Sequence, residues 1–211
     1  GNLAIISVLQ RHSLSYLTST TRVGDFALLV SSRCGRINLC HHLIDAGFDL
    51  HHRDETGKTS LTLASIEGHN DLVELLLQKG CQTEAEDNTG RTPLLWAVQL
   101  GNTPAVELLL RAGANPNCLE QNSRTPLLFS TLNGDDFMVE LLLKYGANPN
   151  FANKAGESAL SWAVAQNYEA IANMLLKREA RLINENNLNQ SSLFWLIRPF
   201  LTKRVKSSLT V

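Results

Sequence analysis

The chain has 211 residues, of which 44% are hydrophobic and 18% are charged, and its formal net charge is −1 at pH 7. This balance argues against a protein that binds nucleic acid over a broad basic face. No apolar run approaches the roughly 18 residues of a membrane-spanning helix, so we expect no transmembrane segment.

The sequence has a repeat period, or step, of 33 residues. Leucines recur at this step, and glycines expected in turns or at helix ends recur at it as well, beginning with Gly24. The leucines are Leu28, Leu61, Leu94, Leu127, Leu160 and Leu193. Such a period indicates one small unit copied along the chain, which argues against most enzyme folds.

The first 53 residues contain two incomplete copies of the unit. Residues 1–20 begin like the second helix of a copy, because 1–9 match 101–109 with an offset of one residue. Residues 21–53 form a degraded copy, in which Phe26 stands where other copies have threonine or serine. We expect further repeats or another domain upstream in the natural protein.

Four well-formed copies follow, over residues 54–86, 87–119, 120–152 and 153–185. In the second of them a hydroxyl of Thr92 can cap a helix, and Pro93 suits the first helical position. A first helix is therefore predicted from about Pro93 to Leu100, and Gly101 ends it because glycine adopts the left-handed conformation easily. A second helix carries the apolar residues at 105–110.

Residues 186–211 form a degraded last copy. Asn189 replaces the turn glycine, and Pro199 should end a helix early. The apolar residues after Pro199 share one helical face, and the cations at 203–206 lie elsewhere. We interpret this segment as a capping helix, since the last unit of a stack needs a solvated outer side.

The turn, the Thr-Pro-Leu element and the two helices resemble the ankyrin repeat. The element reads Thr59-Ser60-Leu61, Thr92-Pro93-Leu94, Thr125-Pro126-Leu127 and Ser158-Ala159-Leu160. The histidine that usually follows this element is replaced in every copy. The resemblance implies an all-α solenoid of stacked helix-turn-helix units with hairpin loops, in a single domain over 1–211.

The resemblance also implies where a partner binds. In this family, partners usually contact the turn tips and the outer side of the first helix, which form a concave surface. By register, the candidate partner-binding residues are Glu55, Lys58, Ile66, Glu67, Asn88, Arg91, Gln99, Leu100, Gln121, Arg124, Leu132 and Asn133. Ile66, Leu100 and Leu132 would form an exposed apolar strip beside two arginines, a composition typical of interfaces. The alternative is that these three side chains pack on neighbouring loops.

One register position is aromatic in most copies. It holds Trp96, Phe129, Trp162 and Trp195, with Val30 and Leu63 in the remaining copies. The resemblance implies a buried leucine at this position. We therefore interpret these residues as core packing rather than as a stacking surface for a ligand.

Cysteine and histidine spacing gives no catalytic or metal site, and we expect no cofactor. Cys40, His41 and His42 fall in a predicted helix, whereas His51 and His52 fall in the following turn. Zinc needs four convergent ligands, so we expect no metal. The four cysteines show no paired spacing, which favours a reduced, cytoplasmic setting.

A modification is a further expectation from the resemblance. Ankyrin repeats are substrates of an asparaginyl hydroxylase that prefers an asparagine in the inter-repeat turn, with leucine eight residues earlier. Asn117 with Leu109, and Asn150 with Leu142, fit this spacing. The alternative is that both asparagines simply serve the turn.

The charge distribution bears on the partner. Residues 54–87 include eight acidic and two basic side chains, and 177–206 include seven basic and two acidic ones. Both segments can be solvated surface, or the acidic one can orient a basic segment of a partner. We expect a monomeric scaffold that binds another protein without catalysis.

Two alternatives to this function remain. The chain can be the regulatory or targeting part of a larger multidomain enzyme or channel. Its basic C-terminal end can contact nucleic acid or an anionic membrane, although one short cluster is a weak signal for that.

Overall fold

The computed structural model describes residues 21–180, and every regular element in this part of the chain is an α-helix. The helices are α1 (Thr21–Arg33), α2 (Ile37–Asp45), α3 (Ser60–Glu67), α4 (Asn70–Gln78), α5 (Pro93–Gln99), α6 (Thr103–Arg111), α7 (Pro126–Leu132), α8 (Asp136–Lys144), α9 (Ala159–Ala165) and α10 (Glu169–Lys177). From α3 onward, corresponding helices begin 33 residues apart. The predicted partial repeat at 1–20, Trp195 and the capping repeat at 186–211 lie outside the described residues.

Hydroxyl groups begin the first helix of each well-formed copy. Thr92 Oγ1 accepts a hydrogen bond from the Leu95 amide at 3.3 Å. Ser158 and Ser161 form a reciprocal capping box, in which each side chain accepts from the other residue's backbone amide. The predicted cap at Thr92 is therefore confirmed, and it satisfies an amide that has no partner within the helix.

Contacts divide the chain into two compact units. Within the described residues, the first comprises 21–97 and 104–114, and the second comprises 98–103 and 115–180. In the first unit, α1 packs against α2 and α3, and α2 packs against α4. In the second, α7 packs against α8 and α9, and α10 packs against α8 and α9. The five leucines of the 33-residue period that lie within the described residues are buried, and each such side chain contributes roughly 1.5–3 kcal/mol of burial free energy.

The first copy differs from the prediction. Gly24 lies inside α1 and not in a turn. A Cβ atom at Gly24 would lie 1.8 Å from Cε1 of Phe48, so this glycine makes room for an aromatic ring. The predicted turn glycine is wrong here, because the sequence step does not reveal that α1 continues through the expected turn.

The hairpin turns before α3, α5, α7 and α9 each need a left-handed residue. Gly57, Gly90 and Gly156 hold this position with φ of 82°, 73° and 76°. Ser123 holds it in the remaining turn with φ of 59°. A residue with a side chain is destabilised by roughly 1–2 kcal/mol in this conformation.

Ser123→Gly should stabilise the protein. Relief of the strain should exceed the added flexibility of the unfolded chain, and the free energy of unfolding should rise by roughly 0.5–1 kcal/mol. Urea denaturation followed by circular dichroism measures the change. Gly90→Ser is the matched reverse substitution and should lower stability. An S123G variant less stable than the parent would contradict the account.

Candidate protein-binding surface

Three of the hairpin tips are each organised by one acceptor side chain. Asp87 Oδ1 accepts hydrogen bonds from the Thr89 amide at 2.8 Å, the Thr89 hydroxyl at 2.6 Å and the Arg91 amide at 3.1 Å. The corresponding oxygens of Asp54 and Asn153 accept the equivalent backbone amides in their own turns. These bonds fix the backbone conformation of the tips. They therefore also fix the backbone positions from which the tip side chains project.

The same bonds control the ionisation of the aspartates. Burial raises the pKa of Asp87, but the hydrogen bonds from Thr89, Trp96 and the Arg91 amide outweigh it, so the net pKa lies below its ordinary value. Burial likewise raises the pKa of Asp54, and the hydrogen bonds of its turn again lower it overall. Both carboxyl groups are therefore ionised at neutral pH.

Trp96 lies at the centre of a polar cluster in the first unit. Its indole Nε1 donates to Asp87 Oδ2 at 2.7 Å. Lys58 Nζ lies 5.1 Å and Arg91 Cζ 4.8 Å from the centre of the indole ring, which are cation–π distances. The ring is partly exposed. Complete core packing is therefore wrong for Trp96, because its polar edge and its neighbouring cations keep it near the surface.

The other members of this register position differ in burial. Phe129 and Leu63 are buried, which confirms core packing for them. Trp162 is partly exposed, and Val30 is 44% exposed. Core packing is wrong for Val30, because burial depends on the adjacent copy as well as on the register.

Some candidate partner-binding residues of the first unit are exposed, whereas others are partly buried or bonded to a neighbouring turn. Glu55 and Glu67 are exposed, whereas Lys58 and Ile66 are partly buried. Asn88 Nδ2 donates to the Glu55 carbonyl at 2.9 Å, and its backbone amide donates into the same turn at 3.0 Å. Asn88 thus links two successive turns, a role that its register position alone did not reveal.

Candidate residues of the second unit include one well-exposed apolar side chain. Leu100 is 49% exposed, and Leu132 is partly buried. Asn133 Nδ2 donates to the Gln99 carbonyl at 3.3 Å, which connects the ends of α5 and α7. The three residues of the predicted apolar strip therefore differ in exposure, and the strip stays a prediction.

An arginine of this unit also lies near an aromatic ring. Arg124 Cζ is 5.9 Å from the centre of the Phe129 ring, and Gln121 is exposed on the same turn. Arg124 and Arg91 occupy the same register position, so ring contact orients the arginine in both copies. Both guanidinium groups therefore have defined positions next to their tips.

The two asparagines of the hydroxylation prediction connect successive copies. Asn117 Nδ2 donates to the Gly146 carbonyl at 3.1 Å, and its Oδ1 accepts from the Asn148 amide at 2.7 Å. Asn150 Nδ2 donates to the Glu179 carbonyl at 3.2 Å. These bonds show a structural role for both side chains, and their modification stays a prediction.

Histidine and cysteine side chains are engaged in separate local contacts. His41 Nδ1 lies 2.7 Å from Asp45 Oδ2, and Cys40 Sγ donates to Ser31 Oγ at 3.1 Å. Burial raises the pKa of Cys81 to about 12, which keeps it a thiol. Within residues 21–180, no cluster of three or more His, Cys, Asp or Glu side chains could hold a metal ion.

A family model described as ankyrin repeats (three copies) matches residues 27–120 and 101–187. The chain belongs to the ankyrin-repeat family. The all-α ankyrin fold class is thereby confirmed. Ankyrin repeats are generally protein–protein interaction modules and are typically non-catalytic. No curated protein matches the sequence. None of the helices in the described part of this ankyrin-repeat chain is long and apolar enough to cross a membrane.

Asp87→Asn should destabilise the protein at neutral pH. The new amide has a single acceptor oxygen, so it cannot accept from both the turn amides and the Trp96 indole, and the charge facing Lys58 is lost. The free energy of unfolding should therefore fall by about 1.5–3 kcal/mol. Because the folded-state pKa is lowered, the stabilisation by Asp87 is complete above the unfolded pKa of about 3.9 and declines as pH falls through the folded value.

The difference in the free energy of unfolding between the parent and D87N should therefore become smaller as pH falls below about 3.9. Urea titrations at neutral and acidic pH measure it. Glu140→Gln, at an exposed position of α8, is the control and should change stability by less than about 0.5 kcal/mol. If this difference in the free energy of unfolding became larger at acidic pH, the assigned role of Asp87 would be refuted.

Proposed function

We propose that this ankyrin-repeat chain is a scaffold that binds a peptide or folded protein through its hairpin tips and first helices, without catalysis. The observation that carries the proposal is the cluster of Trp96, Lys58, Arg91 and Asp87 in the first unit. Tryptophan and arginine dominate the energetics of protein interfaces. Here the indole is partly exposed and held in one orientation by the 2.7 Å bond to Asp87.

The cluster is well suited to binding because its side chains are already ordered before a partner binds. Asp87 holds the turn with one carboxylate oxygen and the indole with the other. Lys58 Nζ also donates to the Thr56 hydroxyl at 3.0 Å. Side chains fixed before binding lose less conformational freedom on association, which favours affinity. The remaining candidate residues on the tips would surround this anchor.

A basic segment in the partner is a finer part of the proposal. Glu55 and Glu67 are exposed and lie on the predicted binding positions, which supports attraction of a cationic partner. Asp54 and Asp87 contribute less to this attraction, since both carboxylates are largely buried and each lies 3.8 Å from a cationic side chain. The effective acidic surface is thus smaller than the sequence suggests.

The setting we propose is a monomer in the cytoplasm, where thiols such as that of Cys40 stay reduced. The basic residues 198–206 lie outside the described part of the chain. Contact with nucleic acid or an anionic membrane therefore rests on sequence alone. A role within a larger enzyme or channel is compatible with protein binding, because the same surface would then bind a neighbouring domain.

Trp96→Leu should reduce partner binding without unfolding the protein. Leucine suits this position, since Leu63 occupies it in the preceding copy and is buried. A partner captured from cells and then purified should bind the variant about 30-fold more weakly or worse in calorimetry, which is the loss expected for an interface hot spot.

Trp162→Leu is the matched control, because Trp162 holds the same register position and Glu157 occupies the position of Arg91 in its copy. It should retain the affinity of the parent. If every purified partner bound W96L and W162L equally well, the Trp96 cluster would not be the anchor.

Charge reversal at the exposed acids tests the basic-partner proposal. Glu55→Lys combined with Glu67→Lys should weaken binding of a basic partner and make the affinity less sensitive to salt, because rim charges act by long-range attraction. Calorimetry over a series of salt concentrations measures both effects. An unchanged affinity and salt slope would remove these residues from the binding surface.

A further inference from the structure

A cavity opens between α1 and the loop that precedes α3. Its volume is about 430 Å³, and its apolar wall includes Phe26 and Leu29. Arg33 and Arg53 line it together with the acidic pair Asp54 and Glu55. Pockets for small ligands typically measure about 300–1,000 Å³, so this one accommodates more than a single small side chain.

The cavity arises from the departure of the first copy from the repeat pattern. α1 has 13 residues, whereas α3 has eight and α5 seven. Phe26 therefore lies within a helix at the position where Thr59 and Thr92 cap the later helices. Its ring is 61% exposed, so the cavity offers an apolar surface that the threonines of the later copies do not.

The arginines of the cavity keep charge available for a ligand. The Arg33 side chain is 57% exposed, and its Nη2 forms a long ion pair with Asp54 Oδ2 at 3.8 Å that includes no hydrogen bond, so the guanidinium can still bind a second carboxylate. The turn already supplies three donors to the other oxygen of Asp54. The Arg53 guanidinium donates to the Glu86 carbonyl, a neutral acceptor that does not cancel its charge.

We propose that this cavity is a separate binding site for an acidic peptide segment of a protein partner. A leucine or aromatic side chain of the peptide packs on Phe26 and Leu29, and a neighbouring carboxylate binds Arg33 and Arg53. Arginine suits this task because its planar guanidinium matches a carboxylate. The site rests on the proposed function, since it presupposes that the chain binds proteins, but it does not involve the Trp96 cluster.

Glu55 makes the proposal sharply testable, because its carboxylate repels an acidic ligand in the same cavity. Removing this charge should strengthen binding, whereas removing Arg33 or Arg53 should weaken it. Damage to the fold would weaken binding in every variant. Opposite changes from neighbouring substitutions therefore separate ligand recognition from a structural role.

The test begins with a displayed library of random heptapeptides selected on the whole chain. Selected peptides are synthesised and their affinities for the variants measured by fluorescence anisotropy. A group of them should carry an acidic residue within two positions of a leucine or aromatic residue. For this group, Arg33→Gln, Arg53→Gln and Phe26→Ser should each weaken binding about fivefold, as expected for a partly exposed contact of about 1 kcal/mol.

Glu55→Gln should tighten the same peptides by about two- to fivefold. Arg36→Gln, an exposed arginine that does not line the cavity, is the control and should leave binding unchanged. Peptides that bind but respond to Trp96→Leu and not to the cavity variants would overturn this site and leave the proposed function intact. Cavity-dependent peptides without an acidic residue would also overturn it. A chain that selects no peptide and captures no protein would remove both.

Discussion

The two carboxylate oxygens of Asp87 connect the fold to the proposed binding surface. One oxygen accepts three donors of its hairpin turn, and the other accepts the indole N–H of Trp96. A buried carboxylate is stable only when hydrogen bonds replace its lost hydration, and these bonds also keep its pKa low. The geometry of the tip and the orientation of the Trp96 indole therefore depend on one ionised group.

The repeat explains how one scaffold can present varied chemistry. Leucines at the 33-residue step are buried in each described copy, whereas the residue that closes the turn is Lys58, Arg91, Arg124 and then Glu157. The scaffold positions are held by burial and capping, so the variable positions change with little effect on the fold. Recognition in an ankyrin-repeat chain is thus determined by side chains that the core does not need.

Sequence period and capping chemistry predicted the helices well, including the Thr92 cap and the end of α5 before Gly101. The errors in predicted burial share one cause. Register gives a residue's place within a copy, but exposure depends on the neighbouring copies, which is why Val30 and Trp96 are less buried than expected. The Asn88 link between turns depends on a contact between copies, and the cavity beside Phe26 depends on the greater length of α1, neither of which the repeat pattern of one copy encodes.

Hydrogen–deuterium exchange of the chain with a purified partner tests the central claim most directly, because it reports which backbone segments a partner covers. The account predicts protection at the tips 54–58 and 87–91, while the second helices α4 and α6 keep their free-state exchange. Tips that exchange equally fast with and without the partner, together with new protection on α4 and α6, would contradict it. The partner would then bind the opposite side of each copy, and the cluster around Trp96 would serve stability alone.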